Sequence, residues 1–162
     1  MRSPNRRTFR RKSELANGGA YRVDDSLRAK TGGVFWGASC GEEETIASIA
    51  KAWRERGVLV DPHTAVALDA YGKYRAATGD AAATLIASTA SPFKFNASVA
   101  RAVLGELRIA GKDEFELLEL LSAESGVAAP ASLRGLRDRR ARHTETCRAP
   151  AMADRVASAL GL

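Results

Sequence analysis

The stretch after Gly41 carries apolar residues at helical spacing. Ile46, Ile49, Ala50 and Trp53 fall at i, i+3, i+4 and i+7, which sets them on one face of a helix. Glu42, Glu43 and Glu44 load the first turn with negative charge, and Lys51, Arg54 and Arg56 come late, so both ends suit the helix dipole. Gly57 is the stop. A second helix is predicted from Pro62. Asp61 is a good N-cap, Pro is tolerated at the first helical position, and Ala67, Ala70, Tyr71 and Tyr74 form the expected buried stripe. Gly79-Asp80 closes that unit. Asn96 to Leu107, Glu114 to Ala123 and Ala151 to Leu160 read as further helices, with Val99 and Val103 facing inward.

Between these helices lie short apolar runs with strand character. Val34-Phe35-Trp36 is flanked by glycine, and Val58-Leu59-Val60 is a brief extended segment. ATLIAS, Ala83 to Ser88, is an uninterrupted apolar run that reads as a strand buried on both faces, as in a parallel sheet. Alternation of helix and strand at this spacing predicts an α/β domain.

Composition changes this picture little, but charge changes it at the ends. The chain has 162 residues, 45% hydrophobic, enough for one domain with a core. The formal net charge is +6. Six cations, Arg2, Arg6, Arg7, Arg10, Arg11 and Lys12, lie in residues 1–13 with no acid among them, and the rest of the chain is formally neutral. Residues 1–13 therefore read as a disordered basic tail and residues 14–162 as the folded unit. A nucleic-acid function has an electrostatic basis only in the tail, and no such partner is expected for the body. A second basic cluster, Arg134, Arg137, Arg139, Arg140 and Arg142, is interrupted by Asp138 and reads as a solvated face. No apolar run reaches the roughly 20 residues of a membrane helix, and no apolar stretch near Met1 suggests a secretory signal. Cys40 and Cys147 form no disulfide framework, so a reducing cytoplasm is the expected compartment.

Local chemistry is sparse. Cys40, Cys147, His63 and His143 have no metal-ligand spacing, and no metal is expected; a Cys40/His63 nucleophilic pair could arise only in space. Two segments stand out. In VDPHTAVA, Asp61, His63 and Thr64 cluster at a helix start that follows an extended run, where free backbone N–H groups suit an anion. The alternative is a plain helix cap. In ASTASPF, Ser88, Thr89 and Ser91 put three hydroxyls at the end of the expected strand, where α/β folds bind ligands. The alternative there is turn chemistry before Pro92.

These two segments, DPHTAVA at Asp61 to Ala67 and STASPFKF at Ser88 to Phe95, resemble the C-terminal region of the threonine synthases. AYRVDDSLRAKTGGVFWGASCGEEETIASI, Ala20 to Ile49, is similar to the family stretch ahead of them, and Pro130, Leu133, Leu136, Arg142 and His143 look like its later loose pattern. The resemblance runs from about Glu14 to the end. It implies part of a tryptophan-synthase-β-like (fold type II) pyridoxal-phosphate domain with a helical C-terminus. It also implies the conversion of O-phospho-L-homoserine and water to L-threonine and phosphate, in threonine biosynthesis.

On that resemblance, Thr89 sits beside the cofactor's pyridine nitrogen with Ser88 next to it. His63, Thr64 and Asp61 become candidates for the substrate side. No segment here resembles the F-K-D motif of the Schiff-base lysine or the Gly/Asn-rich phosphate loop. Lys94 does not correspond to that lysine and reads as a surface residue. The expectation is a C-terminal portion, inactive alone, with an N-terminal half as partner. A non-catalytic docking module is the alternative, and a tail-driven nucleic-acid binder a weaker third.

Overall fold

The computed structural model describes residues 22–142 and 144–162, so the basic tail and His143 lie outside the described residues. The described chain is helical. The α-helices are α1 (Asp25–Gly32), α2 (Glu42–Arg56), α3 (Pro62–Thr78), α4 (Asn96–Leu104), α5 (Glu106–Ile109), α6 (Glu114–Ser125), α7 (Ala131–Arg134) and α8 (Met152–Leu160), with 3₁₀ turns at Pro92–Phe95 and Ala149–Ala151.

The helix limits follow from local chemistry. The Gly41 N–H donates to Glu44 Oε2 at 2.7 Å and starts α2. Gly57, in the left-handed region at φ 63°, ends it, and its N–H donates to the Trp53 carbonyl. Such a φ is nearly free for glycine and costs about 1–2 kcal/mol for a residue with a Cβ. At the start of α6, Asp113 Oδ1 accepts from Phe115 N and Glu116 N, while the Glu116 carboxylate accepts from Asp113 N, a reciprocal capping box.

The expected helix from Asn96 to Leu107 is broken. Gly105 adopts φ 81° and ψ 159°, which no helix can continue, so α4 stops at Leu104 and α5 starts anew.

Helices α2, α3, α4 and α6 pack together around one core. It contains Ile49 and Ala52 from α2, Val60 and Ala65 around the start of α3, Phe93, Val99 from α4, Leu118 and Leu121 from α6, and Ala129. Ala100, Leu104 and Leu117 extend it between α4 and α6. Ile49 and Ala50 of the expected α2 stripe are buried, with Ile46 and Trp53 at its margin. In α3 the buried residues are Thr64 and Ala65, whereas Ala67, Ala70, Tyr71 and Tyr74 are only half-buried. The helix turns its first turn, not its middle, toward the core.

The α/β expectation is overturned: no strand or sheet forms among the described residues. ATLIAS has the pattern of a strand buried on both faces, yet Leu85 is 100% exposed. Val34 and Phe35 are exposed too, at 78% and 72%. An apolar run becomes a strand only when a neighbour takes up its backbone N–H and C=O groups. Here residues 83–88 make no bond to another stretch of backbone among the described residues. The β-branched and apolar character was real, but the pairing it implied is absent. The fold type II sheet that the resemblance implies does not form among the described residues either.

Candidate functional site

The two segments singled out in the sequence meet in space. Asp61 is fully buried ahead of α3, and its Oδ1 accepts from His63 N at 3.0 Å and Thr64 N at 3.4 Å. The Thr64 hydroxyl makes a very short bond to Asp61 Oδ2 and lies 3.1 Å from Ser88 Oγ. A hydroxyl has one proton and a carboxylate only accepts. The Thr64 proton therefore goes to Asp61, and Ser88 supplies the proton of the Thr64–Ser88 bond. Through this chain of bonds the 79–91 segment, which has no regular structure, is tied to the first turn of α3.

The arrangement alters the reading of the helix start. The backbone N–H groups of His63 and Thr64, expected to face an anion, are taken by Asp61. Asp61 faces inward, so it cannot touch a ligand without unfolding the cap. His63 is exposed, and its ring packs edge-on against Phe95 with centroids 5.2 Å apart and planes at 84°. Ser88 and Thr89 are exposed, and Ser91 caps the 3₁₀ turn by accepting from Phe93 N at 3.3 Å. That Ser91 bond is turn chemistry before Pro92, the alternative to a ligand-facing hydroxyl there. Lys94 is also exposed. The surface at this point presents Ser88, Thr89 and the His63 ring over a rigid polar support. A pyridoxal-phosphate ring would find neutral hydroxyls here. Ser88 and Thr89 are exposed, so they form an open wall of surface rather than an enclosure.

A second polar cluster, not anticipated from the sequence, lies where α2 and α3 meet. Lys73 Nζ donates to Ser39 O at 2.8 Å and Glu44 Oε1 at 2.7 Å, and stands 2.6 Å from Asp69 Oδ2. The approach to Asp69 is an ion pair off the axis of a good hydrogen bond, since that oxygen, though buried, has no aligned donor. Contact with the Lys73 ammonium holds the carboxyls of Glu44 and Asp69 below the usual carboxylate range, and the two carboxylates push Lys73 up. The Cys40 thiol completes the cluster, 3.4 Å from Thr45 Oγ1. Ligand atoms of Cys40, Glu44 and Asp69 lie within 4.8 Å of one another, but the ammonium already neutralises the two carboxylates. Asp69 and Lys73 stand at i, i+4, the one signal in the sequence that could have found this cluster. Cys40 thus keeps company with Thr45 and Asp69, whereas His63 packs on Phe95, and the structure gives no support to a Cys40/His63 pair. Cys147 is a free, exposed thiol.

No helix among the described residues is long and apolar enough to cross a membrane. Comparison with known proteins identifies the family. The family model described as threonine synthase, C-terminal, matches residues 64–156, a span that includes Thr64, Ser88 and Thr89. The threonine synthase of Pseudomonas aeruginosa strain PAO1 is similar to this chain, 32% identical over 88 residues. The match covers 54% of this chain and 18% of that protein, so it spans less than a fifth of the relative's length. The chain belongs to the threonine synthase C-terminal family.

Proposed function

We propose that this chain forms the C-terminal part of a threonine synthase, which converts O-phospho-L-homoserine and water to L-threonine and phosphate. The observation that carries the proposal is that the matched span, 64–156, includes both residues of the Thr64–Ser88 bond and the adjoining Thr89. When bound, pyridoxal phosphate supplies the electron sink for carbanion chemistry. Thr89 would place a neutral hydroxyl at the pyridine nitrogen, which does not oblige that nitrogen to stay protonated. Ser88, fixed through Thr64, would hold the backbone of this wall in place. His63 is the exposed candidate for the substrate side. Asp61 and Thr64 support the wall from beneath without reaching substrate.

These 162 residues contain no segment resembling the F-K-D lysine motif, so catalysis would need a lysine-bearing part from elsewhere in the enzyme. The test is to co-express this chain with the lysine-bearing part of the Pseudomonas aeruginosa relative and follow phosphate release from O-phospho-L-homoserine. Activity is expected only from the combination. The chain alone, mixed with pyridoxal phosphate, should give no stoichiometric visible-range band that borohydride makes permanent. Such a band at Lys94, or an inert combination, would overturn the proposal.

A non-catalytic docking module is the second reading. It is favoured by the exposed apolar stripe Met152, Val156 and Leu160 on α8, a surface suited to burial against a partner. Complex formation without any gain of phosphate release would select it.

A further inference from the structure

The first part of the arginine-rich segment after α7, residues 135–139, is held in shape. Successive turns wind it: Gly135 N donates to Ala131 O at 2.9 Å, Leu136 N to Leu133 O at 3.1 Å and Arg139 N to Leu136 O at 3.1 Å. Arg137 bolts it to the start of α6, donating to Asp113 Oδ2 at 3.0 Å while its guanidinium lies 5.5 Å from the centre of the Phe115 ring. Leu133 and Leu136 line a groove shared with Phe93, Phe115 and Leu118, which adds an apolar attachment.

Among the described residues Arg137 is the one cation of this cluster in an ion pair. Among the described residues Arg134, Arg139, Arg140 and Arg142 make no ion pair, although carboxylates elsewhere on the surface are engaged. Three of these unpaired arginines, with Ala141 and Thr144, line a single concave surface of about 720 Å³. Three guanidinium groups around one hollow repel one another, and a multiply charged anion relieves that repulsion. Guanidinium presents its donors as a planar fork that matches phosphate oxygens two at a time, and a threonine hydroxyl adds one more donor. Among the described residues no aromatic side chain lines the hollow, so they offer no platform on which nucleic-acid bases could stack.

We infer that Arg139, Arg140, Arg142 and Thr144 form a binding site for a phosphate or phosphomonoester dianion. The site is distinct from the Thr64–Ser88 surface and does not depend on the enzymatic reading above.

The test titrates the full chain with inorganic phosphate, and separately with glycerol phosphate, by isothermal calorimetry at low ionic strength. Saturable binding of one equivalent is expected. A variant with Arg6, Arg7, Arg10 and Arg11 all replaced by serine should bind equally, because the inferred site consists of Arg139, Arg140, Arg142 and Thr144. The triple variant R139K/R140K/R142K keeps the charge but loses the forks, and should bind at least about tenfold more weakly. The triple serine variant should not bind. Arg139, Arg140 and Arg142 are exposed, and helix content measured by circular dichroism checks folding of every variant. Absence of saturable phosphate binding, or equal binding by the lysine variant, would overturn the inference. So would binding that disappears with the tail arginines. Binding of a single-stranded oligonucleotide that phosphate does not compete away would also overturn it, in favour of a general polyanion surface.

Discussion

Replacing Asp61 with alanine removes the polar group on which the start of α3 depends. Asp61 has 0% exposure and accepts from His63 N, Thr64 N and the Thr64 hydroxyl, so no water can stand in for it without rearrangement. Loss of an Asp N-cap costs about 1 kcal/mol. The buried Thr64 hydroxyl also loses its charged acceptor but keeps Ser88, which puts the additional cost near the low end of the ~1–3 kcal/mol for an unsatisfied buried group. Together Asp61→Ala should lower stability by about 2–3 kcal/mol, a large share of the ~5–15 kcal/mol typical of a domain. Asp61→Asn keeps a cap and an acceptor and should cost less than half as much. The assay is urea unfolding followed by far-ultraviolet circular dichroism, run as a double-mutant cycle with Thr64→Val. Coupling between the two sites should reach about 1 kcal/mol or more, since each group satisfies the other. Additive effects, or an Asp61→Ala midpoint equal to that of the parent, would refute the reasoning.

Other outcomes are expected from the same structure. Leu121 is fully buried in the core, so Leu121→Ala should cost about 2–5 kcal/mol in the same unfolding assay. The Lys73 cluster gives a pH dependence of known sign. Glu44 and Asp69 are depressed in the folded state, so their stabilisation is present above the ordinary carboxylate value and is lost as the pH falls below about 4. Lys73 is raised, so its contribution persists to the ordinary lysine value and is lost only as the pH rises beyond about 10. Lys73→Gln should flatten the acid side of a plot of Tm against pH, and parallel curves for parent and variant would count against the cluster.

The helices were largely legible because their limits are written in local chemistry. Asp61-Pro62 at a helix start, three glutamates in the first turn of α2 and glycine after it need no tertiary information. What failed was the sheet. Thr84, Leu85 and Ile86 carry the side chains of a buried strand, but a strand is defined by its neighbour, and no residue in ATLIAS says whether a neighbour exists. The inward face of α3 failed for a related reason. Ala67, Ala70 and Tyr74 have the spacing of a buried stripe, yet the segment from Val58 to Asp61 sets how the helix enters, and that angle brings Thr64 and Ala65 to the core instead. At the candidate site the residues were visible as unusual. Their division of labour was not, because a carboxylate that caps and one that faces a ligand look identical in sequence. The Asp69–Lys73 spacing was present all along, but only the packing of α2 on α3 adds Glu44 and Ser39 to it.

Trp36 packs edge-on against Tyr74, with ring centroids 5.4 Å apart and planes at 66°, and the Tyr74 hydroxyl donates to Asp80 Oδ2 at 2.6 Å. The chain has only one other tryptophan, Trp53, within α2. Substituting Trp53 with phenylalanine therefore leaves a single indole, standing at the junction of the 33–41 segment, α3 and the start of the 79–91 segment. Its emission becomes an optical gauge of that junction. Detachment of either segment would move the indole from a half-shielded contact into water and shift its emission to the red, so docking at this corner can be timed without attaching a dye.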